Sequence, residues 1–206
     1  MSFMKLWVAT RNAHKVREIA GILGPGFELQ SLLDIPDFPE IIEDGETYKA
    51  NAEKKARALW EKVYQPVFAD DSGLEVDALG GRPGVHSMRY SAPDPTHAKN
   101  IEKLLFELDG VPRPRRTARF RCTLVYLDEK GKEETFDGIV EGAIGFTTAG
   151  EGGFGFDPVF VIPERGLTLA QIPNEEKNAI SHRGLAVAAL RRFLAQRPKK
   201  TVRQTI

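Results

Sequence analysis

Short apolar runs of β type alternate with stretches of helical periodicity along the first half of the chain, and this order limits the available folds more than any other feature. Val16, Ile19, Ala20 and Leu23 recur at i, i+3, i+4 and i+7, as do Ile101, Leu104, Leu105 and Leu108, and then Ala186, Ala189, Leu190 and Phe193. Each set predicts a helix with one buried stripe. Residues 47–64 extend the pattern, with Tyr48, Ala52, Ala56, Leu59 and Val63 on one face and the pairs Lys49/Glu53 and Glu53/Arg57 at i, i+4. Asp94-Pro95 reads as the start of the third helix and Gly110 as its close. Strand-like runs fall at 6–9, 67–70, 120–127, 135–146 and 158–162, and the turn-like residues 128–131 join the two long ones into a hairpin. Alternation followed by a hairpin predicts an α/β protein with a mixed sheet.

The chain has 206 residues, 41% of them apolar and 28% charged, which excludes disordered, collagen-like and disulfide-scaffold classes. Basic and acidic residues balance at 29 each, so no global field holds a polyanion or a membrane surface, and no stable nucleic-acid partner is expected. Cys122 is the single cysteine, so neither an intrachain disulfide nor a cysteine metal cage can form. No run approaches the ~18 apolar residues of a membrane span, and a cytoplasmic protein is expected. Residues 197–206 carry Arg197, Lys199, Lys200 and Arg203 without an acid and read as a loosely ordered basic tail after a domain at 1–196.

Five segments can carry chemistry. The run Thr10, Arg11, Asn12, Ala13, His14, Lys15 lies between a strand and a helix, where backbone N–H groups and the helix dipole favour an anion; the plainer reading is that Thr10 or Asn12 caps the helix. Asp70-Asp71-Ser72-Gly73 ends an apolar run. Because strand side chains alternate, both carboxylates reach one pocket only if Ser72-Gly73 turns the chain, so one aspartate is the expected working group, for a metal or for water. The plainer reading is a polar turn. Residues 150–157 interleave Gly152, Gly153 and Gly155 with Phe154 and Phe156 before Asp157, which lets backbone and an aromatic face approach a ligand, or else makes a flexible glycine hairpin. Lys177, with Ser181-His182-Arg183 heading the last helix, offers donors for an oxo-substituted ring or for phosphate; the alternative is solvated polar decoration. Arg113, Arg115, Arg116, Arg119 and Arg121 read as a solvated or phosphate-proximal face, and His86 and His97 have no ligand-like partners for zinc.

Taken together and in order, these segments resemble the inosine/xanthosine triphosphate pyrophosphatase family. The resemblance rests on Ala-Thr-Arg-Asn-x-x-Lys at 9–15, Asn-Ala-x-x-Lys-Ala at 51–56, Ala-Asp-Asp-Ser-Gly-Leu-x-Val-Asp-x-Leu-Gly-Gly at 69–81 and Pro-Gly-Val-x-Ser-x-Arg-Tyr at 83–90. Gly-Gly-Phe-Gly-Phe-Asp-Pro at 152–158 and Ser-His-Arg-Gly at 181–184 complete it. It implies an elongated α/β fold with two lobes around a central substrate cleft, usually a homodimer. The implied reaction is Mg2+-dependent cleavage of a deaminated purine nucleoside triphosphate between its α and β phosphates. By position Asp71 looks like the general base and a metal ligand, Thr10 to Lys15 the phosphate loop, and Ser72 a substrate contact. Phe154, Gly155, Phe156, Asp157, Lys177, His182 and Arg183 look like base and phosphate contacts. His14 stands where the family commonly has glycine, Ala50 where many members have glutamate, and Ile42 near a family acidic position, which leaves Glu43 as the nearest acid for the metal. A related alternative is a Maf-like pyrophosphatase acting on modified pyrimidine or 7-methylguanine triphosphates. A further one is a non-catalytic nucleotide- or RNA-binding module using the arginine cluster.

Overall fold

The computed structural model describes residues 3–197. Strands β1 (Met4–Val8) and β2 (Phe27–Ser31) flank helix α1 (Ala13–Leu23), and helix α2 (Tyr48–Val63) leads into β3 (Val67–Val76). Helix α3 (His97–Glu107) precedes the long hairpin of β4 (Thr117–Leu127) and β5 (Glu133–Ile144). Short strands β6 (Phe160–Ile162) and β7 (Leu167–Thr168) follow, then helices α4 (Asn174–Ile180) and α5 (His182–Gln196). All seven strands form one sheet in the order β2-β1-β3-β4-β5-β6-β7. The β2-β1-β3 pairings are parallel and the rest antiparallel, which is the mixed α/β architecture that the alternation predicts.

Alternation along the central strands sorts the core. Leu6, Val8, Phe68, Cys122 and Leu124 pack with α1 and α5 on one face, while Trp7, Ala9, Val67, Ala69 and Val125 pack with α2 on the other. Further along β3 and β4, Leu74, Val76, Ala118 and Phe120 return to the first face under α3 and the segment around Phe156 and Phe160. Two apolar clusters thus share one face of the sheet, and Asp70 and Ser72 fall between them.

Several elements differ from the sequence reading. β3 runs straight through Ser72-Gly73, which stay extended against Cys122 and Arg121, so there is no turn at the paired aspartates. Gly73 is needed there because a Cβ would stand 2.2 Å from the Gly84 carbonyl oxygen. Thr96, not Asp94, caps α3, its side chain accepting from the Lys99 N–H. β2 and α4 escape periodicity because one is a half-exposed edge strand and the other has seven residues. Arg116 is not on a solvated face: it is buried, and it donates to the carbonyls of Leu108, Ile144 and Gly145. Arg119 pairs with Asp77 and Glu141. Arg197, the first residue assigned to the tail, donates to Asp128 and the Tyr126 hydroxyl, and the rest of the tail lies outside the described residues. Among the described residues no helix is long and apolar enough to cross a membrane.

Candidate active site

The ladder between β1 and β3 ends at Phe68, so the β1-side edge of β3 is unpaired from Asp70 to Leu74. Side chains from both faces of β3 therefore converge around that edge without a turn. The pocket there is lined by Asp71, Ser72, Lys15, Glu43, Lys55 and Gly73, and on its other side by Phe154, Gly155, Phe156, Asp157, Lys177, His182 and Arg183. Asp70 does not line it; its carboxylate lies beneath Lys15 and Arg183.

Asp71 points to the α2 side. Its Oδ2 accepts from Asn51 Nδ2 at 2.9 Å, and its Oδ1 lies 3.8 Å from Lys55 Nζ and accepts from the Ser72 N–H. Lys55 Nζ in turn reaches Glu43 at 2.7 Å. Burial raises the Asp71 carboxyl above the usual aspartate range, and the nearby Glu43 charge adds to this, while Lys55 and Asn51 oppose it. The sequence shows Asn51 and Lys55 as motif residues without giving them a place in the site. Their signal is a buried amide and ammonium at i, i+4 beside the apolar stripe of α2, since lysine is almost never buried without a partner.

On the other face a chain of alternating charges runs through the pocket wall. Asp157 accepts from Lys177 at 2.8 Å, and Lys177 donates to Glu18 at 2.8 Å. Glu18 accepts from Arg183 at 2.7 Å, Arg183 Nε donates to Asp70 at 3.2 Å, and Lys15 donates to the same Asp70 oxygen at 3.0 Å. Arg183 also donates to the Ser72 hydroxyl. Burial opposes the charge on Asp70, but Lys15 and Arg183 outweigh it and hold its carboxyl far below the usual range. Lys177 is likewise buried, yet Asp157 and Glu18 raise its pKa and keep it charged. Glu18, on α1, carries no motif signal in the sequence; only its contacts reveal it.

His182 stacks on Phe120 with ring centroids 4.7 Å apart, and its buried Nδ1 has no hydrogen-bond partner among the described residues. Burial, then the Arg183 charge, push it well below the usual histidine value, so it is a neutral imidazole. Lys177 Nζ and Arg183 Cζ lie 5.5 and 5.3 Å from the centre of the Phe154 ring. Gly153 has φ of 71°, and a Cβ on it would stand 2.1 Å from Asp157 Oδ2, the oxygen that accepts from the Phe154 N–H. The glycine run is thus a close-packed loop and not a hairpin.

Of the run from Thr10 to Lys15, only Lys15 lines the pocket. Asn12 caps α1 by accepting from the N–H groups of His14 and Lys15, Thr10 Oγ1 accepts from the Asn12 N–H, and Arg11 donates to the Phe38 carbonyl. Ala13 opens α1, and the His14 ring stands 5.9 Å from that of Phe154. Among the described residues no three histidine, cysteine, aspartate or glutamate side chains gather as a metal site. Asp71 and Glu43 are the carboxylates facing the pocket on the α2 side, and two hard oxygen donors are what Mg2+ takes from a protein when water and substrate phosphates fill the rest of its shell.

The Ham1 family model matches residues 6–193. A dITP/XTP pyrophosphatase of Geobacillus kaustophilus is 52% identical over 184 residues, 89% of this chain and 90% of that protein. One of Geobacter sulfurreducens is 52% identical over 191 residues, 92% and 96% of the two chains. The solved structure of a HAM1 protein from Coxiella burnetii superimposes with a TM-score of 0.85 at 34% identity, covering 95% of this chain and all of that one.

Proposed function

The chain belongs to the Ham1 family, and from that premise we propose that it hydrolyses deaminated purine nucleoside triphosphates, dITP, ITP and XTP, to the monophosphate and pyrophosphate. The observation that carries the reading is Asp71: a buried carboxylate held by Asn51 and Lys55 in a pocket whose opposite wall presents Lys15, Lys177 and Arg183. Water attacks the α-phosphorus, its proton passes to Asp71, the bond to the bridging oxygen breaks, and pyrophosphate leaves. A carboxyl raised by burial is a stronger base than a free aspartate, and Asn51 aims it.

The balance of charge supports a divalent ion. Lys15, Lys55, Lys177 and Arg183 stand against Glu18, Glu43, Asp70, Asp71 and Asp157, so the site is not cationic and does not by itself neutralise a triphosphate. Asp71 and Glu43 would hold Mg2+, which supplies charge neutralisation and alignment of the phosphates.

Base choice follows from donors. Lys177 has three N–H groups, and Asp157 and Glu18 take two. The third, with Arg183, suits the 6-oxo oxygen of hypoxanthine or xanthine and meets the 6-amino group of adenine donor to donor. Leaving such a buried donor unmet costs about 1–3 kcal/mol, a bias of roughly 5- to 150-fold per contact. Phe154 supplies the stacking face. Ser72, Gly155, Phe156 and His182 complete the contacts, and Thr10 to His14 shape the turn that delivers Lys15.

The same reading takes residues 1–196 as the catalytic unit, two-lobed around the cleft, acting as a homodimer in the cytoplasm. A panel of dITP, XTP, dATP, dGTP and 7-methylguanosine triphosphate tests it. Selective release of pyrophosphate from dITP and XTP is expected; preference for the methylated nucleotide would favour the Maf-like alternative, and binding without hydrolysis the non-catalytic one.

A further inference from the structure

The pocket has a free interior of about 90 Å³, narrow beside the roughly 300–1,000 Å³ of sites for small organic ligands. A nucleotide enters only if part of the wall moves. Phe154 stands at the edge of that wall: it lines the pocket and is half-buried, between Gly153 and Gly155, whose φ values are 71° and 64°. Its ring lies near two exposed histidines on different elements, of which His97 also lines the pocket. The His14 ring, in the first turn of α1, is 5.9 Å away and tilted by 38°; the His97 ring, at the start of α3, is 6.3 Å away and tilted by 48°. Both separations lie within the range of attractive ring pairs, about 4.5–7 Å. Helix α1 packs in one apolar cluster and α3 in the other, so Phe154 bridges the gap between them. Arg17 Nη2 lies 3.1 Å from His14 Nδ1 and steadies that ring.

We propose that His14 and His97 are positioning residues that clamp Phe154 across the mouth of the pocket, narrowing it until a nucleotide displaces the ring. The identity of that nucleotide rests on the pyrophosphatase reading; the clamp itself does not. Neither histidine belongs to the charge chain, although His97 also lines the pocket.

The test compares the wild type, the double variant His14→Ala/His97→Ala, and His14→Phe/His97→Phe, which restores ring contacts without imidazole. Hydrogen exchange of the amides of residues 153–156, measured without nucleotide, is expected to quicken several-fold in the alanine pair and to return towards wild type in the phenylalanine pair. Stopped-flow association of a fluorescent α,β-imido inosine triphosphate is expected to quicken about fivefold or more in the alanine pair and to slow again in the phenylalanine pair. Unchanged exchange overturns the clamp. Faster exchange with unchanged or slower association overturns its role as a gate, the latter outcome marking the histidines as substrate contacts. If the probe fails to bind the wild type, the nucleotide reading fails, and exchange still decides the clamp.

Discussion

Asp70 and Asp71 are neighbours on one extended strand, yet their carboxylates serve opposite walls of the site. Asp70 anchors Lys15 and Arg183 at 3.0 and 3.2 Å, while Asp71 faces Asn51 and Lys55 and opens to the pocket. Period-two alternation separates a carboxylate buried beneath two cations from one that faces the pocket.

Replacing each with asparagine should therefore give different failures. Asp71→Asn keeps the shape and loses the base; turnover falls by about 10²–10⁴-fold while dITP still binds, as equilibrium binding beside steady-state kinetics will show. Asp70→Asn leaves Lys15 without its carboxylate and Arg183 with Glu18 alone. Breaking a buried pair costs about 3–5 kcal/mol, and at ~2–4 °C per kcal/mol the melting temperature should drop by roughly 6–20 °C.

The proposed role of Asp71 makes Lys55 a control on the acid limb of the rate profile. With Asp71 as the proposed base, hydrolysis needs it deprotonated, and activity should fall as pH drops through its raised pKa, above the ~3.9 of a free aspartate. Lys55 pulls that value down. Lys55→Met should move the acid limb of kcat to higher pH; an unmoved limb would detach Lys55 from Asp71.

Against the opposing effect of burial, the folded-state carboxyl of Asp70 is lowered by Lys15 and then Arg183, and that of Glu18 by Arg183 and then Lys177. A lowered group stabilises the fold above its unfolded pKa and loses that contribution as pH falls through the folded value. Stability from these two carboxylates should be intact at neutral pH and decline only below the ordinary carboxylate range, about pH 4. Urea titrations from pH 7 to 2 should show a shallower acid decline for Asp70→Asn than for the wild type.

Gly153→Ala places a methyl where Asp157 Oδ2 now stands and strains a residue at φ 71°. Phe154 and Lys177 both depend on that oxygen. KM for dITP should rise about tenfold or more, with a smaller change in kcat, in steady-state assays.

Much of the fold was legible because periodicity reports burial directly. The stripes in α1, α2, α3 and α5, the long hairpin and the mixed sheet follow from apolar spacing and one turn at 128–131. The edge strand β2 and the short α4 carry too few buried positions to register. At the site, glycine, aspartate and the Ser-His-Arg run were visible as unusual residues in ordered spacing. Glu18 was not, because one glutamate on a helix surface looks solvated until Lys177 and Arg183, 159 and 165 positions away, arrive beside it. The paired aspartates misled for a local reason: Asp-Ser-Gly favours a turn, but ten paired residues with β4 hold it extended.

Hydrolysis of dITP with Mg2+ in ¹⁸O-labelled water reads the central step most directly, because it reports which phosphorus the water attacks. Label in the deoxyinosine monophosphate, with unlabelled pyrophosphate, is the predicted result. Label in the pyrophosphate, or orthophosphate as the first product, would contradict it.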